Sequence, residues 1–249
     1  MKPIVVALLC VLSGGAAVAK EGNECITAAG AIAPDFSLPH VALAIAKKKL
    51  DVAIIGSASS ELNGPAGTNI AYPTRLEEAL RSLLPGVTVK VATYARPRET
   101  ASEMEAKLPR IISESKPALL VWQTGTADAI RGVDPEEFRV ALDDGVDKLR
   151  AADADVVFMN MQYSPRTEAM LAVTAYADAM RIIALKREVV LFDRFTIMKR
   201  WNEGGVFDLY GATRTTNVAE RVHDCLGRLL ADVVIAGAKL APAADKGTQ

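Results

Sequence analysis

The chain has 249 residues, with 29 basic against 30 acidic side chains, two histidines and half of its residues apolar. That near-neutral balance excludes a general polyanion binder such as a nucleic-acid protein, and the length suits one α/β domain with a sizeable core. No stretch reaches the roughly 18 uninterrupted apolar residues that would suggest a membrane span.

Residues 1–19 read as a signal peptide: Lys2 is the positive end, Ile4 to Leu12 the apolar centre, and Ala17-Val18-Ala19 the small-x-small cleavage site. Leu8 and Leu9 argue against a lipoprotein site at Cys10. Cleavage removes one lysine, so 28 basic and 30 acidic residues remain, a charge of −2. The expected destination is the periplasm or the cell exterior. Two cysteines survive processing, Cys25 and Cys225, and export predicts a bridge between them. Closing about 200 residues would constrain the unfolded chain by roughly 5 kcal/mol.

Residues 20–36 read as a surface arm, and Leu38 to Leu50 as a helix ending in three lysines suited to its C-terminus. Asp51 to Ser60, DVAIIGSASS, is the stretch that organises the rest. Its apolar run into Gly56 is the pattern of a buried parallel strand with small residues at its carboxyl end. After a loop through Asn63-Gly64-Pro65, Pro73 opens a helix with Leu76, Leu80 and Leu83 at helical spacing, stopped by Pro85-Gly86. A second strand spans Val87 to Ala92, and a helix Glu99 to Glu114. The third strand, Ala118 to Trp122, leads into Gln123-Thr124-Gly125-Thr126. Asp134 caps a helix from Pro135 to about Ala152, and a fourth strand runs Asp155 to Met161. Helix Thr167 to Lys186, strand Val189 to Phe192, a short helix around Trp201 and a final helix from about Thr216 to Ala236 complete the order. The core domain is set at 20–241, and 242–249 as a flexible tail.

Strands alternating with helices predict a three-layer α/β/α domain around a parallel sheet of about five strands. Trp122 and Trp201 belong to its core, and Asp143, Asp144 and Asp147 to the solvated face of a helix. No Gly-x-Gly-x-x-Gly or Walker sequence follows the first strand, and the histidines and cysteines make no zinc set. Neither a cofactor nor a metal is expected.

The motif order resembles the SGNH (GDSL-type) hydrolases, and within them a secreted bacterial branch whose first block reads roughly GSSST. The resemblance rests on VAIIGSASS, AYPTRLEEAL, RETASEM, VWQTGT, MNMQYSP, LFDRFTIMKRW and CLGRLLADVV, and covers nearly the whole mature chain. It implies an SGNH-hydrolase, flavodoxin-like fold and ester hydrolysis by a serine nucleophile, a histidine base and an orienting aspartate. A backbone N–H of the nucleophile, a glycine N–H and an asparagine side chain would hold the oxyanion. Carried over residue by residue, the nucleophile position holds Ala58, the glycine position Arg98 and the asparagine position Ala127. The Asp-x-x-His pair falls on Arg214 and Asn217. Every role is substituted. Cleft-lining positions by the same comparison are Gly56, Gln123, Gly125, Asp128 and Gln162.

The expectation is therefore an exported pseudo-hydrolase whose cleft binds an acyl- or carbohydrate-type small molecule. Arg98 and Arg214 are candidate forks for an anionic group. An alternative is a working serine esterase with a shifted triad, Ser57 or Ser59 with His223 and Glu220, the latter two on one helix face. Against it, His223 lies six positions beyond the place the resemblance requires, about 9 Å along a helix, which makes it a packing residue. His40 lies upstream of the sheet. A third reading is an envelope protein that binds a protein partner of unknown identity.

Overall fold

The computed structural model describes residues 27, 29, 32–62, 66–170, 172–210 and 216–239. The expected leader, Cys25, Arg214 and the tail lie outside them. Five strands form one parallel sheet: β1 (Lys49–Gly56), β2 (Thr88–Ala95), β3 (Leu119–Gln123), β4 (Asp155–Met159) and β5 (Val190–Phe192). Their order is β2-β1-β3-β4-β5. Strand order reverses between β1 and β3, and folds of this kind place ligands outside the carboxyl ends of the strands at that reversal.

The helices are α1 (Pro39–Ala46), α2 (Gly67–Ile70), α3 (Tyr72–Leu83), α4 (Ala101–Glu105), α5 (Leu108–Ser115), α6 (Thr126–Arg131), α7 (Pro135–Arg150), α8 (Pro165–Met170), α9 (Val173–Lys186), α10 (Arg194–Glu203) and α11 (Thr216–Lys239). Side chains alternate across the sheet, so β1 feeds two cores. Val52 and Ile54 pack with Val121, Val157 and the apolar faces of α3 and α11. Ala53 and Ile55 pack with Leu120, Trp122, Phe158 and the faces of α5, α7 and α9. Trp122 and Trp201 are both fully buried, as the sequence predicts.

Two glycines set how close helices come. A Cβ at Gly145 in α7 would sit 2.1 Å from the Trp122 ring, and one at Gly227 in α11 would sit 2.5 Å from the Arg75 Cβ and 2.8 Å from its carbonyl carbon. The second contact seats α11 directly on the first turns of α3. No helix among the described residues is long and apolar enough to cross a membrane.

Three element boundaries differ from the sequence reading. Helix α1 stops at Ala46, because Lys48 turns the chain in the left-handed region (φ 60°) and Lys49 already pairs with Thr88. The lysine run is therefore a helix-to-strand corner rather than a helix end. The predicted helix Glu99–Glu114 is two helices. Thr100 and Glu103 form a reciprocal capping box on α4, and Pro109, lacking an N–H, sits at the start of α5. The helix expected over Thr167–Lys186 is divided into α8 and α9.

At the amino end of the sheet, Asp155 accepts the Val41 N–H at 2.9 Å and so caps α1 from 114 residues away. A cavity of about 350 Å³ beside it is lined by Ser37, His40, Arg150, Asp155 and Glu188 among others. Burial pushes the Asp155 carboxyl up to about 6, against the Val41 hydrogen bond and the charges of His40 and Arg150. An acid whose folded pKa exceeds its unfolded one loses folding stability as pH rises from the unfolded value near 4 to about 6, here by roughly 3 kcal/mol. Asp155→Asn keeps an acceptor and removes the charge. Urea unfolding across pH 4 to 7 is expected to show the variant gaining on the wild type with rising pH; parallel profiles would refute the assignment.

Candidate functional site

The carboxyl end of β1 runs through Gly56 into Ser57 and a 3-10 turn, Ala58–Ser60, and the end of β3 is Gln123. Pairing of Ile55 with Trp122 puts these two ends side by side. Gln123 is 1% exposed and its carboxamide organises the turn. Its Oε1 accepts from the Ser57 N–H at 3.2 Å, the Ser59 Oγ at 3.1 Å and the Ser60 Oγ at 2.9 Å. Its Nε2 donates to the Ser57 Oγ at 3.1 Å. Gly56 is required here: a Cβ would lie 2.2 Å from the Ser60 Oγ and 3.0 Å from the Gln123 Oε1.

From the turn the network runs inward. The Ser60 hydroxyl meets the Tyr72 hydroxyl at 3.0 Å, and the Ser59 Oγ accepts from Arg194 Nη1 at 3.1 Å. Tyr72 is the first residue of α3, and Arg194 the first of α10. Arg194 is held at the end of β5 by Asp193, which caps α10 through the Thr196 N–H and accepts from Asn160 at the end of β4. Arg194 is 1% exposed, and its Nε and Nη2 have no hydrogen-bond partner among the described residues.

His223, on α11, lies 4% exposed against Tyr72, with ring centroids 6.0 Å apart. Its Nδ1 accepts the Tyr72 backbone N–H at 3.0 Å. Helix α3 has no side-chain cap of its own, so the imidazole caps it from a neighbouring helix. Burial first, and the Arg194 charge second, push the imidazole down to about 3. The positive end of α3 acts in the same direction. The ring is therefore neutral with its proton on Nε2. A triad histidine needs the opposite arrangement, Nδ1–H donating to a carboxylate and Nε2 free to take the serine proton. Burial also raises the Tyr72 phenol to about 12 and lowers Arg194 to about 10.

Of the vestigial positions, Ala58 is exposed at the start of the 3-10 turn, Ala127 is 7% exposed in the first turn of α6, and Asn217 is exposed on α11. Arg98 is also exposed, with a left-handed backbone at φ 68°. That conformation costs a side-chain-bearing residue about 1–2 kcal/mol. Arg98 thus keeps the backbone suited to the glycine that the resemblance assigns there. Ser57, Ser59, Gly56 and Gln123 lie together at the ends of β1 and β3, and Gly125 turns the chain beyond β3 at φ 103°. Glu220 does not join them: it is exposed and paired with Arg75 at 3.1 Å. Asp128, expected to line the cleft, is fully buried and accepts from the Ala101 N–H at 2.9 Å and the Thr124 hydroxyl at 3.3 Å, tying α6 to α4. Burial is the larger influence on its carboxyl and raises it. Gln162 is exposed. Ser60, Tyr72 and Arg194 were not singled out by the sequence. Tyr72 and Arg194 lie inside the motifs AYPTRLEEAL and LFDRFTIMKRW, so they could be marked, but nothing in the sequence shows that the two meet.

Comparison with known proteins adds the ancestry. Residues 24–240 match the non-GDSL lipase-like family. An 80-residue segment is 31% identical to esterase TesA of Pseudomonas aeruginosa, covering 32% of this chain and 40% of that protein, so the match spans less than half of the esterase. A crystal structure of TesA superposes with a TM-score of 0.56 at 22% identity, over 76% of this chain and 97% of that one. AlinE4, an SGNH-hydrolase family esterase, superposes at 0.51 and 18% identity, over 74% and 97%. At these identities the superpositions establish the fold.

The buried imidazole makes a pH prediction. A base whose folded pKa is depressed from 6.5 to about 3 contributes stability that is complete above 6.5 and lost as pH falls towards 3, on the order of 5 kcal/mol. His223→Asn retains an acceptor for the Tyr72 N–H and cannot titrate. Its unfolding free energy is expected to fall less steeply than wild type between pH 6.5 and 4; identical slopes would mean that His223 is already protonated in the folded protein.

Proposed function

The chain belongs to the non-GDSL lipase-like family, and from that premise we propose that it has kept the SGNH-hydrolase scaffold and lost ester hydrolysis, its cleft serving to bind an acyl- or carbohydrate-type ligand. One observation carries this reading: the Nδ1 of His223 accepts a backbone N–H instead of donating to a carboxylate. With that polarity the imidazole cannot relay a proton from a serine. The serines of the first block support the same reading, since the acceptor for Ser59 and Ser60 is an amide oxygen, which is no base.

The reaction also needs donors where negative charge develops, each worth about 10²–10³ in rate. Ala127 has no side-chain donor to offer. Purified protein is expected to hydrolyse short-chain p-nitrophenyl esters no faster than buffer and to take no label from a serine-directed phosphonate. A variant carrying Ala58→Ser, Arg214→Asp and Asn217→His is expected to gain weak activity. Wild-type turnover abolished by Ser59→Ala or His223→Ala would overturn the reading in favour of the shifted triad with Ser57 or Ser59.

Export through cleavage after Ala19, and a Cys25–Cys225 bridge, belong to the same proposal. Cys225 is buried on α11, and Cys25 lies outside the described residues. Intact-mass and non-reducing peptide analysis of protein recovered from the periplasm or medium is expected to show Lys20 at the N-terminus and the two cysteines in one linked peptide pair. An unprocessed N-terminus or two alkylatable thiols would refute it.

A further inference from the structure

Arg194 is a buried cation without a counter-ion among the described residues. Its guanidinium uses Nη1 on the Ser59 hydroxyl, while Nε and Nη2 have no partner. Among the described residues no carboxylate forms an ion pair with it; the ionisable groups that sense it are the Tyr72 phenol and the His223 ring. A guanidinium buried for structural reasons normally has its donors filled, because an unpaired buried charge is expensive.

The idle pair is informative. Nε and Nη2 form one edge of the planar fork, the edge that takes a carboxylate through two parallel N–H···O bonds. Ser59 holds the opposite nitrogen, and Gln123 holds Ser59, so the edge is fixed before any ligand arrives. One guanidinium supplies a single positive charge, which matches a monocarboxylate better than a phosphate dianion. A neutral ester brings no charge to offset it.

We propose that Arg194 anchors a carboxylate subsite at the carboxyl ends of β1 and β3, and that the ligand of this cleft is a free carboxylic acid rather than its ester. The proposal deepens the non-hydrolytic reading above and rests on it. It also moves the anion-binding role from Arg98 and Arg214 to a residue that the sequence did not mark. The acid can be of acyl or sugar origin; both present the same group to the fork.

The test is calorimetric titration of the full exported chain with sodium hexanoate, sodium glucuronate, methyl hexanoate and inorganic phosphate. At least one carboxylate is expected to bind saturably, with methyl hexanoate at least tenfold weaker and phosphate not tighter; which one binds identifies the source. Arg194→Gln is expected to lose at least tenfold in affinity while melting at or above the wild-type temperature without ligand. Absence of binding by both carboxylates, equal binding of hexanoate and its ester, tighter phosphate binding, or full affinity in Arg194→Gln would each overturn the proposal. Should that variant fail to fold, the Nε–H resonance of Arg194 in the wild type serves instead. It is expected to shift on titration, and an unmoved resonance overturns the proposal. Ester turnover by the wild type would defeat the non-hydrolytic reading yet leave a positive binding result intact; an inert protein that binds no carboxylate defeats only the subsite.

Discussion

Gln123 bridges the two strands between which the sheet reverses its order, and most of the surrounding arrangement depends on that bridge. Its amide accepts from the backbone of Ser57 and from the hydroxyls of Ser59 and Ser60, and donates back to Ser57. A buried carboxamide left without these partners would cost the desolvation of each group, on the order of 1–3 kcal/mol apiece. The turn is therefore held in one conformation. Ser60 passes that order to Tyr72 and the start of α3, and Ser59 passes it to Arg194 and the start of α10. The absence of a side chain at Gly56 lets the turn fold back this closely.

Charge follows from the same geometry. A hydrolytic triad stabilises an imidazolium by placing a carboxylate behind it. Here the neighbour of His223 is a guanidinium, and the group on its Nδ1 is a helix N-terminus. Both oppose a second positive charge, so the low-dielectric site carries one cation, on Arg194, and keeps the imidazole and phenol neutral. Such a site is poorly suited to moving protons and well suited to holding an anion. The proposed change from one chemistry to the other needs no change of fold, only different side chains at the strand ends.

Helix packing makes this possible. Gly227 lets α11 rest on the Arg75 backbone in α3, which brings His223, one turn earlier, over the Tyr72 N–H. At the opposite end of the sheet Asp155 caps α1 by an equally long-range contact. Both helices lack a side-chain cap in their own sequence and take one from elsewhere. Their termini therefore form only in the assembled domain, and the pH responses of the two caps run in opposite directions because one is a buried base and the other a buried acid.

The sequence by itself determined the architecture and the family. Apolar runs bounded by small residues at β1, β3 and β4, alternating with helical spacing, suffice for a parallel sheet, because burial of both faces imposes that pattern. It also located the Ser57–Ser60 turn and the alanines at positions 58 and 127, since these are matters of residue type at a fixed place in a motif. Only the tertiary structure decided how the side chains at the strand ends are used. Local periodicity placed His223 and Glu220 on one helix face, but their roles differ because one is buried against the Tyr72 N–H at the start of α3 and the other pairs with Arg75 of the same helix at the exposed surface. Asp128 looks like a cleft acid until α4 is seen to cover it. Arg194 is one arginine among many in the sequence. Its place beside Ser59, 135 residues away, comes from the tertiary structure, and a linear pattern carries no information about that contact.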